Sequence, residues 1–117
     1  MDLAGKLQVK PGTVVAAIAV PAEGPDLSGV GVAGEAADAG AVIVFVRRSD
    51  ELAGPGQAAV EAARQDKLTW IAYPKGGQLG TDLNRDTLAA AMLGQGIQPV
   101  RQVSLDDVWS ALRFRPA

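Results

Sequence analysis

Three uninterrupted apolar runs constrain this chain more than any other feature. Thr13–Val20, Ala41–Val46 and Leu68–Tyr73 each hold six to eight residues, rich in Val, Ile and aromatics, without a charge. An amphipathic helix or a half-exposed strand would place polar residues at regular intervals in such runs. Their absence suits strands buried on both faces, as in the interior of a parallel sheet. Thr13–Val20 reads as a central strand of that sheet.

The segments between the runs supply the crossovers. Ser49-Asp50-Glu51 has the hydroxyl cap and early acids of a helix start. Gly54-Pro55-Gly56 interrupts it. The helical pattern resumes over Gln57–Gln65, with Ala59, Val60 and Ala63 on one face. A ten-residue connection, Pro74–Leu83, leads into a helix over about Asn84–Leu93, closed near Gly94 and Gly96. Leu3–Val9 predicts a short helix ended by Pro11-Gly12. Residues 21–40 carry two prolines and five glycines, with Val30 and Val32 set among polar neighbours.

Beyond the last helix the pattern changes to alternation. Pro99–Leu105 puts Val103 and Leu105 on one side. Val108–Phe114 puts Val108, Ser110, Leu112 and Phe114 together, and Asp106-Asp107 forms the turn between them. The sum is an α/β chain and one domain over residues 1–117. It predicts a small Rossmann-like three-layer sandwich, with a mostly parallel sheet that ends in an antiparallel β-hairpin. This element order is similar to the second half of the class I methyltransferase version of the Rossmann fold.

Composition then limits the chemistry. The 117 residues include no histidine and no cysteine. Ser-His-Asp and Cys-His nucleophilic sites are therefore excluded, as are thiolate chemistry and disulfides. A zinc or transition-metal site would have only carboxylates to hold it, so no metal is expected. Eleven Lys+Arg against 13 Asp+Glu leave a net charge of -2, which argues against nucleic acid as a partner. Alanine (21) and glycine (14) dominate, so helices pack close to the sheet. The five aromatics, Phe45, Trp70, Tyr73, Trp109 and Phe114, all fall in predicted strands and read as core. No run reaches the 18 or so residues of a membrane span, and no membrane partner is expected. Lys6, Lys10 and the apolar run to Val20 imitate a secretory signal. Asp2 and Pro11-Gly12 break that pattern, and a cytoplasmic location is expected.

Candidate motifs each compete with a plainer account. Gly29-Val30-Gly31-Val32-Ala33-Gly34 matches GxGxxG, but eight residues separate it from the first strand and too few follow it to make a helix. Alternating Gly-Val reads instead as a short edge strand. A methyltransferase cofactor turn is also unfavourable, because Pro21 and Pro25 in Val20–Pro25 remove amide donors where a cofactor would need them. No cofactor is expected, and the enzyme reading is the weaker one. Asp106-Asp107 is a turn rather than a catalytic pair. Arg101, Arg113 and Arg115 make a small solvated patch.

The strongest candidate site is the 74–86 loop. It lies at the carboxyl end of a parallel strand, where open α/β sheets bind ligands. It is also longer than the usual connection. Lys75 and Arg85 could hold an anionic or nucleotide-like ligand, Gly76, Gly77 and Gly80 could let backbone amides approach it, Asp82 could accept from a hydroxyl or amine, and Thr81 is a further candidate contact. The competing account makes Thr81, Asp82 and Asn84 helix caps, and Lys75 and Arg85 the ion-pair partners of Asp82 and Asp86.

The runs Trp70–Lys75, Thr81–Asp86 and Asp107–Phe114, with Leu7–Gly12 near the start, resemble a family of small bacterial proteins of unknown function. The resemblance implies a bacterial, cytoplasmic, Rossmann-like domain. It singles out Lys75, Asp82, Arg85 and Trp109, and brings no catalytic residue with it. Two functions follow: a non-catalytic binding or interaction module that pairs as a homodimer, or a ligand-binding protein or enzyme working at the 74–86 loop.

Overall fold

The computed structural model describes residues 3–10, 12–25, 27 and 39–117. The expected edge strand at Gly29–Gly34 lies outside the described residues. The chain runs α1 (Leu3–Lys6), β1 (Val15–Ile18), β2 (Ala41–Phe45), α2 (Gly56–Arg64), β3 (Leu68–Pro74), α3 (Arg85–Leu93), β4 (Ile97–Ser104) and β5 (Trp109–Pro116). Short 3-10 turns stand at Ser49–Glu51 and Gln78–Gly80. The fold is α/β, and the described residues place five strands in one sheet in the order β1-β2-β3-β5-β4.

β1, β2 and β3 pair in parallel, while β5 runs antiparallel to both β3 and β4. The expected hairpin is therefore present. Its second strand enters between β3 and β4 instead of extending the edge, so one reversed strand makes two of the four pairings antiparallel. The sheet is mixed rather than mostly parallel in its pairings.

Strand alternation sorts the apolar residues onto two faces. Ala16, Val42, Val44, Ile71, Tyr73, Leu112 and Phe114 pack with Ala59, Val60, Ala62 and Ala63 of α2 and with Leu88 and Met92 of α3. Val15, Ala41, Ile43, Phe45, Trp70, Ala72, Trp109 and Ala111 form the opposite face, against Leu7 and the half-buried Leu3, Val9 and Leu27. All five aromatics lie in strands and are buried. Val103 and Leu105 share a face, as their alternation predicts. Val108 does not join Leu112 and Phe114. It precedes β5 and packs against the opposite face.

The first apolar run is the main departure. β1 is only four residues long and lies at the edge of the sheet, paired with β2 alone among the described residues. Val14 and Val20, at the ends of the run, are 42% and 46% exposed. Hydrophobicity without alternation does not distinguish a central strand from a short edge strand, because the number of neighbours is a tertiary property. No helix among the described residues is long and apolar enough to cross a membrane.

Candidate functional site

β3 ends at Pro74, which pairs with Trp109 at the start of β5. The next residue, Lys75, donates its backbone N–H to the Val108 carbonyl at 2.7 Å. The 74–86 loop therefore leaves the carboxyl edge of the sheet beside the β4–β5 turn. Gly77 (φ +80) and Gly80 (φ +68) bracket the 3-10 turn in left-handed backbone. A Cβ at either would meet no atom within 4 Å, so conformation, not crowding, requires glycine there. Gly76 and Gly77 are both exposed.

From Gly80 onward the loop closes on the segment that follows β2. The Thr81 hydroxyl donates to the Arg47 carbonyl and accepts the Leu83 N–H at 3.0 Å. Arg48 donates from its guanidinium to the Gly80 carbonyl at 2.6 Å. The Asp82 carboxylate accepts from the Ser49 N–H at 2.8 Å and from the Ser49 hydroxyl at 2.5 Å, with Arg48 3.8 Å away. Arg47 in turn ion-pairs with Glu23, in the segment after β1, and its backbone N–H donates to Glu51 at 2.9 Å. These contacts form a clasp across the carboxyl ends of β1, β2 and β3.

Only one of the three proposed caps works as one. Asn84 accepts the Thr87 N–H while the Thr87 hydroxyl accepts the Asn84 N–H, a reciprocal box at the start of α3. Thr81 and Asp82 serve the clasp instead. The expected ion pairs divide in the same way. Arg85 lies 3.9 Å from Asp86, with both side chains exposed, while the Lys75 ammonium donates to the Ser104 hydroxyl at 2.8 Å. Asp82 has Arg48 for its cationic neighbour rather than Lys75. Asp106 behaves as the turn residue its sequence suggests, its carboxylate accepting the N–H groups of Val108 and Trp109.

Trp109 is fully buried. Its ring stands edge-on to Phe45, centroids 5.3 Å apart at 75°, and its indole N–H donates to the Glu23 carbonyl at 3.2 Å. It is a pillar beneath the clasp, not part of its open surface. Nearby, the Tyr73 hydroxyl accepts from the Gln102 amide at 3.0 Å, and burial raises its pKa above 10.0. Among the described residues no group of three or more acidic side chains gathers to hold a metal ion.

The Ser49 hydrogen bonds hold the Asp82 carboxyl below its ordinary pKa of 3.8, the hydroxyl contributing most. The sign follows from linkage: a carboxylate depressed in the folded state stabilises above the unfolded pKa, and that contribution is lost as pH falls through the folded one. Wild type is expected to melt above Asp82→Asn at neutral pH, with the gap closing once the pH drops below 3.8. A Tm gap that persists unchanged into acid would assign the effect to something other than the carboxylate.

Ser49, Arg47 and Arg48 were not apparent as partners of the loop. Ser49 reads locally as a helix cap, yet the 3-10 turn has no side-chain cap, and its hydroxyl reaches 33 residues along the chain. No family model matches the chain, and no curated protein or solved structure is similar to it at a significant level.

Proposed function

We propose that this chain is a small Rossmann-like domain that works as a non-catalytic binding module and pairs with a second copy of itself. The clasp carries this reading. Thr81, Asp82 and Arg48, polar groups that a ligand at the strand ends would need, are already engaged: Thr81 with the Arg47 carbonyl and the Leu83 N–H, Asp82 with Ser49, and Arg48 with the Gly80 carbonyl. The strand order β1-β2-β3-β5-β4, with the last strand inserted in reverse, supports the Rossmann-like assignment through its similarity to the second half of a class I methyltransferase. The cytoplasmic setting expected from the sequence belongs to the same reading.

The two sheet edges favour one side for pairing. β4 exposes Val100, but it also carries Pro99, a register shift between Pro99 and Arg101, and exposed Gln98, Arg101 and Gln102, all devices that blunt an edge. β1 has none of these and is flanked by the exposed Val14 and Val20. Light scattering at high concentration is expected to give twice the chain mass, and Val20→Glu to return the monomer. A monomer at every concentration would remove the pairing.

The alternative, a nucleotide-like or anionic ligand at the 74–86 loop, draws on Lys75, whose ammonium has only a neutral hydroxyl as partner among the described residues. A thermal-shift panel of S-adenosylmethionine, dinucleotides, nucleotides and sugar phosphates separates the two. No rise in Tm at millimolar ligand is expected. A rise that Lys75→Ala and Asp82→Ala both abolish would transfer the function to the loop.

A further inference from the structure

The opposite edge of the sheet holds a cavity of about 420 Å³ lined by Gln8, Lys10, Thr13, Gly40, Asp66, Leu68 and Arg113. Its volume is within the range of small-molecule sites, about 300–1,000 Å³. Thr13 and Gly40 precede β1 and β2, and Leu68 begins β3, so the cavity opens at the amino ends of the parallel strands. It shares no residue with the 74–86 loop. Open α/β sheets bind their ligands at the other edge, and nothing in the motif pattern points here.

The charges around it do not balance. Arg113 donates from Nη1 to the neutral Gln8 side chain at 2.7 Å, and its Nε is buried without a partner. A buried donor of a charged group left unmatched is costly, so its survival calls for an explanation. Lys10 has no ion-pair or hydrogen-bond partner for its ammonium among the described residues. Among the described residues Asp66 is the one carboxylate on the wall, and Arg115 already answers it at 3.3 and 3.4 Å. Across β4–β5, Arg113 faces another cation, Arg101. Among the described residues the wall thus presents two cations without a counter-charge, a hydroxyl on Thr13 and an apolar surface on Leu68.

We propose that this cavity binds a small organic molecule through one oxyanion group, a carboxylate or a phosphate, held between Arg113 and Lys10. Gln8 uses Nη1 and leaves Nη2 for the anion, with the buried Nε behind it. Thr13 donates a further hydrogen bond, and Leu68 takes the apolar body. The site is independent of the clasp and of the pairing proposed above.

Amide NMR of the labelled full chain tests it, with titrations of benzoate, acetate and inorganic phosphate against chloride at equal ionic strength and against neutral benzamide. Saturating shifts are expected at Gln8, Thr13, Gly40 and Leu68, together with a shift of the Arg113 Nε–H resonance. Benzoate saturating first identifies a carboxylate on an apolar body, and phosphate saturating first identifies a phosphate; either upholds the site. Arg113→Gln should weaken binding by roughly tenfold or more. Lys10→Gln, an exposed change that does not threaten folding, should weaken it by about threefold. Lys75→Gln at the far edge should leave it unchanged. Linear shifts that match those in chloride, or an affinity indifferent to Lys10→Gln, would overturn the proposal.

Discussion

Trp109→Ala is expected to cost about 3–5 kcal/mol of unfolding free energy. Burying an aromatic side chain of about 200 Å² stabilises by roughly 5 kcal/mol at 25 cal/mol per Å², so the two figures agree. The side chain is fully buried, stands edge-on to Phe45, and is the first residue of the strand that closes on β3. Its indole also fastens the chain at Glu23, which in turn meets Arg47 of the clasp. Trp109→Phe keeps most of the packing and loses the indole hydrogen bond, so about 1–2 kcal/mol is expected. Urea unfolding followed by the fluorescence of Trp70, the other buried tryptophan, measures both variants. A loss below about 1 kcal/mol for the alanine variant would mean that the sheet does not depend on this pillar.

Ala63→Leu is expected to cost about 1–3 kcal/mol for the opposite reason, too much volume. Ala63 is fully buried on the face of α2 that packs with Val44, Ile71 and Leu112. Its neighbours Ala59 and Ala62 are also buried, so that face of the helix rests on methyl groups and leaves little room for a longer side chain. Ala91→Leu, on the exposed side of α3, adds the same atoms where nothing resists them and should stay within about 0.5 kcal/mol of wild type. Equal Tm values for the two variants would show that the α2 interface is loose enough to accept leucine.

The contrast between these two sites shows what the sequence made legible. Buried strands, an alanine-faced helix and aromatics in the core follow from the type and period of side chains over short windows. The two long apolar runs at Ala41–Val46 and Leu68–Tyr73 became interior strands, and Gln57–Gln65 became α2 within a residue at each end. The capping residue of α3, Asn84, was one of three plausible choices. Only the path of the loop decided that Thr81 and Asp82 would instead reach Arg47 and Ser49.

The 74–86 loop leaves the carboxyl end of β3, as its sequence position implies, but contacts far along the chain divide the roles of its residues. Lys75 is not the ion-pair partner of Asp82, because the start of the loop is held against Val108 and its side chain meets Ser104. The three arginines near the carboxyl terminus illustrate the same limit. One solvated patch in the sequence becomes, in the sheet, an Arg115 paired with Asp66 and a half-buried Arg113 lining a cavity.

By itself, then, the sequence determined the alternation of buried strands and helices, and the closing hairpin. It also excluded chemistry that needs histidine or cysteine, since side-chain period and residue type are local properties. Tertiary structure alone decided that β1 lies at an edge among the described strands, that β5 enters between β3 and β4, and that Ser49 and Asp82 meet. It also placed Gln8, Lys10, Asp66 and Arg113 around one cavity. Strand neighbours and charge partners depend on how distant segments are brought together, and short-range periodicity carries no information about that distance.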